Sequence, residues 1–413
     1  MDILIKHIGT LYGILPAHIL RLAGKDMNNV GEISNAWMLI KHGVIADFGE
    51  MDSCPALHDN CTVIDAENAV ITPGFIDSHT HIAFPATREK EFEMKIKGAS
   101  YAEIAAAGGG ILNSALAMQG MDEVSLIRQA KDRIFECIGF GTVAFEIKSG
   151  YGLTTESELK QLRVIQALKK QVPVPLKATL LGAHALPKKY ADNRQDYINK
   201  VLFEMIPQAV EQQLVDYIDV FCESGFFTTQ ETDLILKQGV KYGLKAKIHA
   251  NQLAISGGVQ VGIANNALSV DHLESMGENE IQALQQSETL PVALPGCSFY
   301  LNMPYAPGRK IIDAGLPLVL ASDFNPGSCP SGNLLFVWSL ACIQMKLSPN
   351  EAFNALTINA ANAIELAHEL GSITVGKRAS LLFFKAQTSL VKIPYHFSMS
   401  KPFKVMIDGV VVD

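Results

Sequence analysis

Two histidines two residues apart, His79 and His81, close the run GFIDSHTHI. On a strand, residues i and i+2 share a face, so these two imidazoles can hold one metal ion. The plain alternative is a pair of histidines satisfied by backbone carbonyls. The recurrence of the pattern favours the metal. His184 follows the apolar run PLKATLLGA, His249 closes LKAKIH, His272 lies in ALSVDHLE and Asp323 in LPLVLASDFNPG. A polar side chain at the end of an apolar strand is costly unless it finds a partner. Three neutral imidazoles (His79, His81, His249) and the Asp323 carboxylate form a nitrogen–oxygen set with a place left for water, suited to zinc or iron. One divalent ion so held lowers the pKa of water to roughly 7. Asp323 is then placed to touch the ion and to accept the water proton. His272 is a candidate for polarising the carbonyl under attack or for shuttling a proton. The bland reading of His272 is a structural histidine bonded within the rim.

Those residues must be gathered by the elements that carry them. After Gly74, short runs rich in Val, Ile, Leu and Ala alternate with segments of helical apolar spacing. The strand runs are GFIDSHTHI, GTVAFEIKSG, PLKATLLGAHA, YIDVFCESG, LKAKIHA, ALSVDHLE, LPVALPG and LPLVLASDFNPG. Such runs fit strands buried on both faces. TESELKQLRVIQALKK reads as a helix opened by a Thr cap, and TTQETDLILKQGVKYG as one closed by Gly243. Eight strands alternating with helices predict a (β/α)8 TIM barrel, with its active site at the C-terminal strand ends. A doubly wound open sheet would want a glycine-rich phosphate turn after an early strand. AAAGGGIL at 105–112 follows a helical segment instead and reads as a loop. Short strand-like runs before about residue 65 and after about 366 predict a small β-sandwich domain built from both ends of the chain. The expected plan is therefore 1–65 with 366–413 around a barrel at 66–365.

Composition narrows the function classes. The 413 residues are 48% hydrophobic and 18% charged, as in a well-packed globular protein, with a net charge of −8 that disfavours nucleic acid and acidic membrane as partners. The seven cysteines form no CxxC pair and read as reduced thiols of a cytoplasmic protein. The first residues, MDILIKHIGTLYGILP, lack the long apolar core of a signal peptide. No apolar run reaches the roughly 18 residues of a membrane span.

PGFIDSHTH, the later strand-end His and the SD pair opening the last barrel loop resemble the amidohydrolase superfamily. A finer similarity is to the imidazolonepropionase family. It rests on THIAFPATREKEFEMKIKGASYAEIAAAGGGI (80–111), FEIKSGYGL (145–153), LLGAHALP (180–187), KIHANQL (247–253), SVDHLE (269–274), and ALPGCSFYL with ASDFNPGSCP (293–330). It covers most of the chain. The resemblance implies hydrolysis of the cyclic C–N bond of 4-imidazolone-5-propanoate to N-formimidoyl-L-glutamate, in the breakdown of histidine to glutamate. It places the metal ligands on His79, His81, His249 and Asp323. It places substrate contacts on Arg88, Tyr151, His184, Gln252, Asn325, Gly327 and Ser328, and points to a homodimer.

These contacts make physical sense. A propionate invites an arginine clamp through two parallel hydrogen bonds, although Arg88 in REKEFEMK also reads as a solvated surface residue. Position 252 in the family carries Glu or Gln, and position 251 is often acidic. A Gln cannot act as a general base, so Gln252 is expected to orient the substrate while His272 or Asp323 handles the proton. Some relatives bridge two metals with a carboxylated lysine. Lys148 closes strand two, an unexpected place for such a bridge, and the family resembled is mononuclear. Two other functions compete. A nucleobase amidohydrolase or deaminase would give Arg88 and Tyr151 no carboxylate to clamp. A metal-free scaffold would have lost a ligand, and all four are present.

Overall fold

The computed structural model describes residues 2–56, 61–99, 103 and 109–412. Eight strands form a parallel sheet in sequential order: β6 (Phe75–Thr80), β7 (Thr142–Lys148), β8 (Leu176–Ala183), β9 (Tyr217–Cys222), β10 (Lys245–Ala250), β11 (Ser269–His272), β12 (Leu290–Ala293) and β13 (Val319–Leu320). All their residues are buried except Lys177 and Lys245, which is why the runs read as continuously apolar rather than alternating. The sheet closes on itself just beyond β13. Thr80 bridges Phe324 in parallel, Asp323 N donates to His79 O at 3.1 Å and His81 N to Phe324 O at 2.9 Å.

Helices cover the outside of this (β/α)8 barrel. Thr154 caps the helix Thr155–Leu168 by accepting from Ser157 N at 3.2 Å, and that helix buries Leu159, Leu162, Ile165 and Leu168. Thr228 and Glu231 form a reciprocal capping box at the start of Thr229–Lys241, which satisfies two orphan amides. Gly243 follows that helix at φ +83°, a conformation that favours glycine.

Two expectations are corrected. The 105–112 stretch is not wholly loop: residues 105–108 lie outside those described, but Ile111 and Leu112 open a helix, Ile111–Gly120. Gly110 at φ +88° provides the break that lets the chain turn into it. The eighth barrel run pairs over only two residues. Pro317 brings no N–H, and Asp323 bends the chain at φ +57°.

The second sheet joins the two ends of the chain. Its strands are β1 (Asp2–Ile14), β2 (Gly31–Lys41), β3 (Val44–Glu50), β4 (Cys61–Asp65), β5 (Val70–Pro73), β14 (Leu381–Phe384), β15 (Lys404–Ile407) and β16 (Val410–Val412). Their order is β16-β15-β14-β5-β1-β2-β3, with β4 parallel to β1. The β14–β5 pair is the antiparallel seam between tail and head. Ile5, Ile8, Met38, Ile40, Phe383 and Met406 give this small β-sandwich domain its own core. Among the described residues no helix is long and apolar enough to cross a membrane.

Candidate active site

The barrel brings the strand-end residues to one place. His79 ends near Asp323, with Nε2 3.6 Å from Asp323 Oδ1, and His81 Nε2 lies 3.6 Å from the same oxygen. His249 Nε2 faces His81 Nε2 at 3.3 Å. Ligands held tetrahedrally at about 2.1 Å from one ion stand roughly 3.4 Å apart; ligand atoms of His79, His81 and Asp323 lie within 4.8 Å of one another, as do those of His79, His249 and His272, so two triads that share His79 meet here. His79 Nε2 is buried and has no hydrogen-bond partner among the described residues, so its lone pair is available to a cation. Burial first, then the cation of Lys148 and the neighbouring imidazoles, push His79 well below the ordinary imidazole range. Burial, with His184 and His249, does the same to His81. Neutral rings are the form that binds metal. The donor set therefore fits a divalent ion.

Two of the three rings have a carboxylate behind them, whereas His81 Nδ1 has no hydrogen-bond partner among the described residues. Asp271 Oδ2 lies 2.6 Å from His79 Nδ1, and Asp219 Oδ2 lies 3.0 Å from His249 Nδ1. At His79 the acceptor keeps the N–H on Nδ1 and leaves the Nε2 lone pair for a metal; the Asp219–His249 approach is an ion-pair contact without hydrogen-bond geometry. Lys148 Nζ in turn sits 2.9 Å from both Glu146 Oε1 and Asp219 Oδ2. Surrounded by carboxylates, it is not poised as a bridge between two metals. Sequence reasoning missed Asp219, Asp271 and Glu146. A signal existed: acidic residues inside fully apolar strands cost free energy just as strand-end ones do.

His272 occupies a strained backbone position, φ +92°, with Leu273 at +70°. Its Nδ1 lies 3.3 Å from Glu274 Oε1. Burial opposes the charged ring, but Glu274 and Asp323 outweigh it and raise His272 above the ordinary imidazole range. Burial also raises the Asp323 carboxyl, against the pull of His272 and His249.

A cavity of about 1090 Å³ opens over this centre. Every ligand, catalytic and substrate-contact residue expected from the sequence lines it except His79, which is fully buried. Arg88 is not a surface residue: its Nε donates to Ser114 Oγ at 3.0 Å, and its Nη2 is buried with no hydrogen-bond partner among the described residues. Gly327 makes room for it, since a Cβ there would stand 2.2 Å from Arg88 Nη1. Tyr151 is buried, and that burial pushes its phenol up, so it remains an O–H donor. His184 donates from Nδ1 to Gly150 O at 2.9 Å, and burial lowers it to about 3. Its Nε2 is therefore left as an acceptor.

The loop after Asp323 is knit by its own side chains. Asn325 Oδ1 accepts from Gly327 N and Ser328 N, both at 2.8 Å, and Ser328 Oγ donates to Asp323 Oδ2 at 3.1 Å. The Gly327 N–H is thus already engaged within the loop. Gln252 Nε2 points to Cys297 Sγ at 3.5 Å.

Comparison with known proteins agrees with this geometry. The model of the amidohydrolase family matches residues 70–412. Imidazolonepropionase of Flavobacterium johnsoniae is 48% identical over 412 residues, covering 100% of both chains. Imidazolonepropionase of Alkaliphilus oremlandii is 39% identical, covering 100% of this chain and 98% of its own. Among solved structures, E. coli guanine deaminase superposes with TM-score 0.74 at 14% identity, covering 100% of this chain and 99% of its own. An adenosine deaminase from Xanthomonas campestris with bound zinc gives 0.71 at 15% identity, covering 99% and 92%. At those identities the last two speak for the shared fold. The chain belongs to the amidohydrolase family and, within it, to the imidazolonepropionases.

Proposed function

We infer that this chain hydrolyses 4-imidazolone-5-propanoate to N-formimidoyl-L-glutamate, a step in histidine degradation. The observation that carries the reading is Arg88: a largely buried guanidinium, 3.8 Å from Glu91 at Nε, whose Nη2 has no hydrogen-bond partner among the described residues, in the same cavity as the proposed His79–His81–His249–Asp323 centre. A propionate-bearing cyclic amide answers both features, whereas a neutral nucleobase offers Nη2 no carboxylate.

When bound, one divalent ion, zinc or iron, supplies electrophilic polarisation and makes water a nucleophile near neutral pH. His79, His81, His249 and Asp323 are proposed to hold it. Arg88 binds the propionate, Tyr151 donates its O–H to the ring, and His184 presents Nε2 as an acceptor. Gln252 orients the substrate, and Asn325, Gly327 and Ser328 wall the other side of the site. The water oxygen bonds to the ring carbonyl carbon and the C–N bond breaks. Asp323 takes the proton from water, and His272, whose ring Glu274 favours in its charged form, returns one to the leaving nitrogen. Purified metal-loaded protein should turn over the imidazolone and not guanine or cytosine. Turnover of a nucleobase with none of the imidazolone overturns the reading.

We also propose a cytoplasmic homodimer, divided as 1–65 with 366–413 around a barrel at 66–365, although β5 lies beyond residue 65 and pairs with the end strands. An aromatic chain supports a second copy as partner. Phe299, Phe336 and Phe397 follow one another at 5.2 and 6.3 Å, beside exposed Tyr395 and Met399. Contiguous exposed apolar surface of that kind marks association sites.

A further inference from the structure

Beneath the candidate metal centre lies a layer of charge inside the barrel. Glu146 and Lys148 on β7, Asp219 on β9, Lys247 on β10 and Asp271 on β11 have fully buried side chains. Burying one ion costs several kcal/mol after relaxation, and aliphatic side chains would fill this interior at no such cost. The layer therefore calls for a purpose.

The contacts give one. Lys148 Nζ touches Asp219 Oδ2 at 2.9 Å and approaches Asp271 Oδ2 to 4.0 Å. Those same two oxygens face His249 Nδ1 at 3.0 Å and His79 Nδ1 at 2.6 Å. One ammonium thus stands behind two carboxylates, and each carboxylate stands behind a ring whose Nε2 enters the centre. Lys247 stands slightly nearer to Asp271, at 3.8 Å, and donates to Ser269 Oγ at 2.8 Å, but it makes no ion pair with Asp219 among the described residues. Glu146 tethers the ammonium from the other side at 2.9 Å, accepts from Thr179 Oγ1, and contacts neither histidine.

Resting on the metal-centre reading above, we propose that Lys148 is a positioning residue for the bound ion, fixing through Asp219 and Asp271 the directions of His249 and His79. The ammonium never touches ion or substrate. It sets two ligands on different strands, β10 and β6, from a single point on a third. Removing it leaves Asp219 with no ammonium beside it and Asp271 with Lys247 alone, so the ring of His249 loses its aim first and the link between the two carboxylates is cut.

The test uses full-length protein loaded with cobalt(II) or zinc(II), read by chelator competition and by the cobalt visible spectrum. Parent protein should bind the ion tightly; failure of the parent to bind overturns the metal reading and this inference together. E146Q should retain metal as the parent does. K148M should lose affinity about 10- to 100-fold, the range for partners behind a ligand, and shift the cobalt bands. K148M/E146Q, which removes one charge of each sign, guards against unfolding and should show the same loss with a parent-like melting temperature in chelator. Parent-like affinity and spectrum in the double variant overturn the assignment while leaving the metal reading intact. A double variant that fails to fold, with E146Q folded, places Lys148 in barrel stability alone and also overturns it.

Discussion

His79 Nδ1 and Asp271 Oδ2 lie 2.6 Å apart, both side chains with no exposed surface, although 192 residues separate them. Asn at 271 preserves the shape but replaces a charged acceptor with a neutral amide. D271N should weaken ion retention about 10- to 100-fold, measured by competition with a chromophoric chelator. Retention equal to the parent would mean that His79 needs no aiming.

His249→Ala and Asp323→Ala each remove a proposed ligand. Turnover should vanish, and elemental analysis should find less than one ion per chain. Normal activity in the Asp323 variant would contradict the whole scheme.

Arg88→Ala should act on the substrate and spare the metal. Losing one partner of a buried charge pair costs roughly 2–5 kcal/mol, so kcat/KM for the imidazolone should fall at least about 30-fold while bound metal stays at parent level. An analogue lacking the carboxylate should show little difference between parent and variant; an equal loss on both substrates would deny the clamp.

Gly327→Ala should imitate Arg88→Ala through space. The new methyl meets the guanidinium at 2.2 Å, and the flexible end of Arg88 is what must move. KM should rise without loss of metal. Unchanged KM would show that Arg88 has another seat.

Lys377 gives a pH prediction remote from the site. Its Nζ donates to Leu370 O at 3.2 Å and Ser372 Oγ at 2.7 Å, neither of them charged. Burial lowers it from 10.5 to about 8. Below about pH 8 the ammonium is charged in both folded and unfolded chains, and the penalty for burying it is complete. Above that, the folded chain gives up the proton first, so this residue's contribution to stability rises with pH until the unfolded chain also loses it near 10.5. Thermal melts from pH 7.5 upward, compared with K377M, should show that upward slope in the parent and its loss in the variant.

The proposed ligand set was legible because His79, His249 and Asp323 interrupt or end apolar runs, where a polar group has to be explained. The barrel was legible for the same reason: the runs between them are uniformly apolar. Asp219 and Asp271 stand out locally as acids inside apolar strands, but the histidines they face lie on other strands, so the sequence does not disclose their partners. Local sequence leaves Arg88 balanced between a carboxylate clamp and one more charge in REKEFEMK; the fold reveals Ser114 beside it and the space above Gly327. The start of the helix at Ile111 was hidden by the glycines before it, whose flexibility reads as loop whatever follows.

The first and last strands meet through Asp323 N to His79 O and His81 N to Phe324 O, so three of the four proposed ligands sit on the two lips of that join. An ion shared among them would work as a clasp as well as a reagent. Loading the centre would then tighten the cylinder where its staves are shortest, and amide exchange at Asp323 and His81 would report on both at once.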